Sequence, residues 1–213
     1  MKIDFVSDIA CPWCAVGLNA LEIALKRIGG DIPVELHFRP FELNPQMGTE
    51  GEDAVAYLSA KYGISAEQIA RNQAAIRERG AAVGFSFGTR ARVWNTFDAH
   101  RLLHWAGEEG PAGAQRSLKH ALLQAYHGQG HNPSDAAVLL SAAVSAGLDA
   151  ARAREVLGSD EFSAEVRQAE SFWQQAGIRS VPSVVVNDRH LIQGGQPPEV
   201  FEQALRQIAA EAG

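Results

Sequence analysis

The chain has 213 residues, 46% of them hydrophobic and 21% charged, a balance that suits a substantial packed core and excludes disorder, collagen or a coiled-coil rod. Its formal charge is −6, from 19 Lys and Arg against 25 Asp and Glu, which argues against nucleic acid as a partner. No apolar run reaches the ~20 residues of a membrane-spanning helix, so no membrane partner is expected either.

Ile3-Asp4-Phe5-Val6 alternates as a short strand does. No apolar leader with a small-residue cleavage site accompanies it, so the expected location is cytoplasmic. Ser7 to Ala10 then lead to Cys11-Pro12-Trp13-Cys14, which holds both cysteines of the chain. From Cys11 onward, Val16, Leu18, Leu21, Leu25 and Ile28 recur at the spacings of a largely buried helix, which Gly29-Gly30 stop. Val34 to Pro40 alternates again, completing a strand–helix–strand unit that is most simply a right-handed parallel crossover.

The middle of the chain is almost entirely helical in pattern. Val55, Leu58 and Tyr62 mark one side of a helix over 52–62, and Ser65 caps the next, with Gln68 expected to reach back to it. Gly80, Gly84 and Gly88 punctuate the following stretch, and helical spacing resumes over 89–105. Further helices are predicted over 112–126, 134–146, 150–157 and 163–176. Strands return at Val184-Val185-Val186 and Leu191-Ile192, flanking a hairpin turn at Asn187 to His190. Pro197-Pro198 open a last amphipathic helix. The order β-α-β, helices, β-β-α resembles an α/β thioredoxin fold with a large all-helical insertion. Segments 1–44 and 178–213 would form the thioredoxin-like domain, and 45–177 the helical insertion domain with its connecting helix.

Two cysteines three positions apart in a first helical turn lie close enough for a small-ring disulfide. Cys11 stands where unpaired backbone N–H groups and the helix dipole stabilise a thiolate, so it is the candidate nucleophile. Cys14, one turn further in and less exposed, is the candidate resolving thiol, and Pro12 suits the first turn because its missing N–H is not needed there. Structural zinc would need about four ligands, and this pair supplies two. Covalent haem would need a histidine where Ala15 stands. Two inert buried cysteines remain the bland alternative. No metal and no organic cofactor are expected, only a redox-active Cys11–Cys14 disulfide. Ser180-Val181-Pro182-Ser183 precedes the third strand, and taken alone Pro182 reads as an ordinary trans proline at a strand entrance.

Five segments together carry a wider resemblance: Ser7 to Gly17 (SDIACPWCAVG), Arg39 to Pro45 (RPFELNP), Asn95 to Leu102 (NTFDAHRL), Val181-Pro182-Ser183, and Gly194 to Pro198 (GGQPP). The chain resembles the DsbA family of thiol–disulfide oxidoreductases, specifically its FrnE-like branch. The resemblance implies dithiol–disulfide exchange at Cys11 and Cys14, with Pro182 as a cis-proline and the Val181 backbone beside it free to pair with a substrate peptide. Strongly oxidising periplasmic members have histidine where Trp13 stands. Trp13 adds no cation to the Cys11 thiolate, so lower oxidising power is expected, and its ring offers unfolded substrate an apolar contact or simply packs on the insertion. The expected partners are a protein or small thiol or disulfide, glutathione among them, and a homodimer is left open. A cleft between the two domains should expose Cys11.

Two other functions compete. Kappa-class glutathione transferases and 2-hydroxychromene-2-carboxylate isomerases share the inserted architecture and use bound glutathione. A non-catalytic metal-binding or chaperone module is the other, since His100/His104 and His127/His131 each have i, i+4 spacing, without the acidic partner of a zinc motif. Asn95 or His100 could face the cysteines; the blander alternative is a cap at Asn95 and a buried network at His100-Arg101. Arg39 and Glu42 read as an ion pair.

Overall fold

A computed structural model describes residues 1–212, so Gly213, the last residue of the predicted thioredoxin-like segment, lies outside the described residues. Strand β1 (Lys2–Ser7) distributes its side chains by the period of two: Ile3 and Phe5 enter one apolar cluster and Val6 another. It is followed by helix α1 (Pro12–Ile28) and strand β2 (Glu35–Pro40). The inserted segment holds β3 (Glu52–Asp53), α2 (Ala54–Tyr62), α3 (Ala66–Ala82), β4 (Arg92–Val93), α4 (Phe97–Glu108), α5 (Ala114–Leu123), α6 (Ala136–Ser145), α7 (Ala150–Leu157) and α8 (Ser163–Gln175). Strands β5 (Ser183–Val186) and β6 (His190–Gln193) and helix α9 (Pro198–Ala212) close the chain.

The main sheet has the order β2-β1-β5-β6, with β1 parallel to β2 and antiparallel to β5. This is the thioredoxin arrangement, and the parallel pair fits a crossover through α1. One core cluster joins Ile3, Phe5, Val184 and Val186 of the sheet to Leu18 and Leu21 of α1 and to Phe201 and Leu205 of α9. The same cluster continues into the insertion through Leu102, Leu118 and Tyr126. The second cluster seats Val6 against Phe41, Trp173 and Ile178. Among the described residues, no helix is long and apolar enough to cross a membrane.

The insertion departs from the expected all-helical block in one place. Residues 89–96 are not helical: β4 pairs antiparallel with β3, Glu52 opposite Val93 and Asp53 opposite Arg92. The apolar spacing there is compatible with a helix, but Asn95 Oδ1 accepts the Phe97 N–H at 2.8 Å and so starts α4 eight residues later than predicted. The Ser65 cap forms, accepting the Gln68 N–H at 3.2 Å. Gln68 does not reach back; its amide donates to Asn72 at 3.1 Å, leaving half a capping box. Past α5 the chain continues through a π turn, Gln124–Gly128. Arg39 pairs with Asp4 at 2.5 Å and Glu42 with Arg167, so the expected Arg39–Glu42 pair gives way to two longer-range ones.

Helix α1 approaches the β5 end of the sheet closely at Gly17. A methyl group there would lie 2.9 Å from Pro182 Cγ and 3.3 Å from Gly195 Cα. Gly17→Ala is therefore expected to lower unfolding stability by about 1–3 kcal/mol, measured by urea denaturation, because neither neighbour can yield without moving backbone.

Candidate active site

The site is built where β1 ends and α1 begins. Cys11 caps the helix in an extended conformation, φ −90° and ψ 113°, and Pro12 occupies its first turn. The Cys14 N–H donates to the Cys11 carbonyl at 3.1 Å, closing that turn. Both cysteines are free thiols and both are buried, Cys11 at 4% exposure and Cys14 at 0%. Cys11 is thus less open than the sequence leads one to expect, since its Sγ donates to the Val181 carbonyl at 3.4 Å. It nevertheless lines a cleft of about 770 Å³, together with Pro12, Trp13, Phe41, Tyr57 and Val181. Helices α2 and α3 supply the opposite wall through Leu58, Ile69 and Ile76.

The Val181–Pro182 peptide bond is cis. Trp13 is half-buried and packs at the edge of the main core, with the Arg79 guanidinium of α3 5.9 Å from its ring centre. The five residues singled out by sequence around the motif, Cys11, Pro12, Trp13, Val181 and Pro182, are thus brought together with Cys14 behind them.

The two thiols are pushed apart electrostatically. Cys11 is lowered: the hydrogen bond from the Cys14 thiol leads, and the N–H groups of Cys14 and Trp13 add to it, against burial and the negative charge of Asp8. Cys14 is raised well above an ordinary thiol, first by burial and then by the Cys11 sulfur beside it. A thiolate therefore forms first on the cysteine that faces the cleft.

Around the motif stands a ring of largely buried polar groups; sequence reasoning noted His100 and His127 among them but not Asp8, Arg90 or Lys119. The Asp8 carboxylate, fully buried, accepts from the Ala10 N–H at 3.0 Å, the Leu43 N–H at 2.7 Å and the Thr96 hydroxyl at 2.7 Å. The His100 ring nitrogen lies 3.3 Å from it. Burial pushes this carboxyl up, but the His100 hydrogen bond and charge and the two N–H donors outweigh burial and hold it below its ordinary value. His127 Nε2 donates to the Ile9 carbonyl at 2.8 Å, and burial lowers its pKa to about 3, so its ring is neutral. Arg90 donates to the Ala10 carbonyl at 3.0 Å. Lys119 of α5 is 1% exposed. Its signal was a lysine amid the apolar Leu118, Leu122 and Leu123, a charge on the wrong face of a helix.

The histidine pairs do not assemble a metal site: among the described residues, no group of three or more His, Cys, Asp and Glu side chains is placed to hold an ion. His100 is committed to Asp8, His127 to Ile9, and His104 packs on Phe162 at 5.4 Å between ring centres. Of the blander alternative for 95–101, the buried network at His100-Arg101 holds and the cap shifts by one residue. The capping residue of α4 is Thr96 rather than Asn95, whose Oδ1 accepts the Phe97 N–H from one residue further out, and Arg101 is buried, donating to the carbonyls of Val156, Ser159 and Glu161.

This chain belongs to the DSBA-like thioredoxin domain family, whose model matches residues 2–206. A probable DsbA oxidoreductase from Streptomyces coelicolor is 37% identical and superimposes with a TM-score of 0.91 over 99% of this chain and 91% of that one. A 2-hydroxychromene-2-carboxylate isomerase, 14% identical, superimposes at 0.74 over 100% of this chain and 98% of its own. The cytosolic disulfide reductase DsbM from Pseudomonas aeruginosa, solved with GSH, is 15% identical and superimposes at 0.66 over 99% and 100%. The last two share the fold. Family and the Streptomyces oxidoreductase together support a thiol–disulfide oxidoreductase in general terms.

The leading role of the Cys14 hydrogen bond is open to test. Cys14→Ser keeps a donor and Cys14→Ala does not, so Cys11 alkylation by iodoacetamide should have a midpoint roughly one pH unit higher in the Ala variant.

Proposed function

We propose that the chain is a cytoplasmic protein dithiol–disulfide oxidoreductase of the FrnE-like branch, acting at Cys11-Pro12-Trp13-Cys14 without an organic cofactor. The observation that carries this reading is the asymmetry of the two thiols: Cys11 lines the cleft with a lowered pKa, and Cys14 lies behind it, fully buried, with a raised one. In the reducing direction the Cys11 thiolate attacks a substrate disulfide, whose S–S bond breaks and releases one substrate sulfur as a thiolate. Cys14 then attacks Cys11 Sγ, the mixed disulfide breaks, and the second substrate thiolate departs. The enzyme dithiol is oxidised and the substrate disulfide reduced; the oxidising direction is the reverse. The Val181 backbone and Trp13, which line the cleft with Cys11, form the docking edge for the substrate, and the cis-proline Pro182 packs behind that edge against Gly17.

The cleft favours a thiol that carries carboxylates. Lys61, Arg90 and Arg179 all line it, and each is held by neutral groups: Lys61 by the Leu43 carbonyl and Asn44, Arg90 by the Ala10 carbonyl, Arg179 by the Gln174 carbonyl. The carboxylate that lines the same cleft, Glu42, is paired with Arg167. Glutathione, a small peptide thiol with two carboxylates, fits that charge pattern as substrate or recycling partner. The same cations suit a carboxylate substrate of the isomerase type, which is the second reading; it requires turnover without Cys14.

Cys11→Ser should reduce insulin-reduction turnover to background, and Cys14→Ser should accumulate a covalent mixed disulfide visible by intact mass. Full turnover in Cys11→Ser, or chromene carboxylate isomerisation undiminished in Cys14→Ser, would overturn the exchange reading. Replacing Lys61 and Arg179 together by Gln should raise KM for glutathione disulfide about tenfold more than for neutral hydroxyethyl disulfide.

A further inference from the structure

A second, smaller pocket of about 70 Å³ lies beside the cleft, with Pro12, Gln73, Ile76, Arg77, Arg90 and His127 in its lining. Four of these, Pro12, Gln73, Ile76 and Arg90, also line the cleft, so the two spaces share a wall one residue from Cys11. On α3 the cleft takes the face of Ile69, Gln73 and Ile76, and Arg77, next along the helix and one turn after Gln73, carries the lining round into the pocket. Its mouth reaches the surface at the exposed Arg77, Gly88 and Thr89.

The far wall is set by backbone. The Gly88 N–H donates to the His127 carbonyl at 2.9 Å, and a methyl group on Gly88 would overlap the Gly128 carbonyl. The His127 ring is in turn tied to Ile9. The pocket is therefore held in shape before any substrate arrives, which lowers the cost of binding there.

Its charge is one-sided. None of the lining residues is acidic, two carry guanidiniums, and His127 is neutral because burial lowers it to about 3. Arg90 is half-buried, with Nη1 on the Ala10 carbonyl at 3.0 Å and the guanidinium 5.5 Å from the Tyr126 ring centre, both neutral groups. A guanidinium has five N–H donors, so several remain for a ligand. The neighbouring arginines of α3 are engaged, Arg71 with Glu67 and Arg79 with the Gly195 carbonyl. Arg77 forms no ion pair among the described residues. At roughly 30 Å³ for each water the space holds about two, enough for a carboxylate and too little for an aromatic ring.

We propose that this pocket is an anion subsite, in which Arg77 and Arg90 receive a carboxylate that the substrate carries within a few bonds of the sulfur reacting at Cys11. The inference deepens the exchange reading above and rests on it. The substrate class it names is a thiol or disulfide with an acidic group beside the sulfur, bound by the planar forks that suit a carboxylate. Lys61 and Arg179, which line the cleft but not this pocket, form a separate set of cations. Glutathione and an acidic residue flanking a protein cysteine both supply such a carboxylate, and the test separates them.

The test uses the full chain in its dithiol form and follows oxidation by intact mass after an acid quench. Two matched pairs of disulfides are compared: acetyl-Cys-Glu-amide against acetyl-Cys-Gln-amide, and glutathione against its ethyl ester. The parent should react about tenfold faster with the acidic member of at least one pair. Arg77→Gln should cut that preference by about threefold or more, and Arg77→Glu should abolish or reverse it. Arg71→Gln removes a charge from the same helix outside the pocket and should leave the preference unchanged. Arg77 is exposed, so its variants are expected to fold. A preference lost from the peptide pair assigns the subsite to an acidic residue beside a cysteine; one lost only from the glutathione pair assigns it to glutathione. Equal rates within both pairs for the parent would overturn the subsite and leave exchange intact. So would a preference that survives Arg77→Glu, or one that Arg71→Gln lowers as much as Arg77→Gln does. A parent dithiol that none of the four disulfides oxidises would instead overturn the exchange reading.

Discussion

A single buried carboxylate organises this molecule. Asp8 gathers donors from its own loop (Ala10), from the exit of β2 (Leu43) and from the start of α4 (Thr96 and His100). An ionised carboxylate away from water costs several kcal/mol unless its lone pairs are taken, and removing a partner from such an arrangement typically costs about 3–5 kcal/mol. Here they are taken by groups on three separate segments. Moving any of those segments away would strand the charge, so the carboxylate fixes the inserted helices against the loop that presents the cysteines.

The same logic runs along the next two residues of that loop. The Ile9 carbonyl receives His127 and the Ala10 carbonyl receives Arg90, both from the insertion, and Cys11 follows immediately. The inserted segment therefore does more than roof the cleft. It holds the backbone that leads into α1, while the sheet side contributes Val181 against the Cys11 sulfur and Pro182 against Gly17. Cys11 is clamped from two sides, and the reacting atom has little freedom, which is what pre-organised exchange chemistry requires.

Charge balance around the thiols follows from this scaffold. Asp8 disfavours a thiolate on Cys11, and the Cys14 hydrogen bond with the first-turn N–H groups overcomes it. Lys119 stands in the same cluster with the opposite sign and offsets part of the burial penalty on Cys14. Neither residue touches the cleft, and both bear on which sulfur ionises.

Much of the fold was legible in the chain. Ile3 to Val6, the glycine stop after Ile28 and the Val184–Val186 hairpin are local patterns, and each became the element its period implied. The misreadings have physical causes. Residues 89–96 carry apolar spacing compatible with a helix, yet pairing with β3 and the Asn95 turn hold them extended. Arg39 and Glu42, three apart, looked like partners until Asp4 and Arg167, distant in sequence, offered each a closer one. Sequence by itself determined that two thiols stand one turn apart at the mouth of a helix behind a strand, because helix rise and capping depend only on near neighbours. Tertiary structure alone decided what surrounds those thiols, since His100 reaches Asp8 across 92 positions and His127 reaches Ile9 across 118, and contacts at such separations leave no periodic trace in the chain.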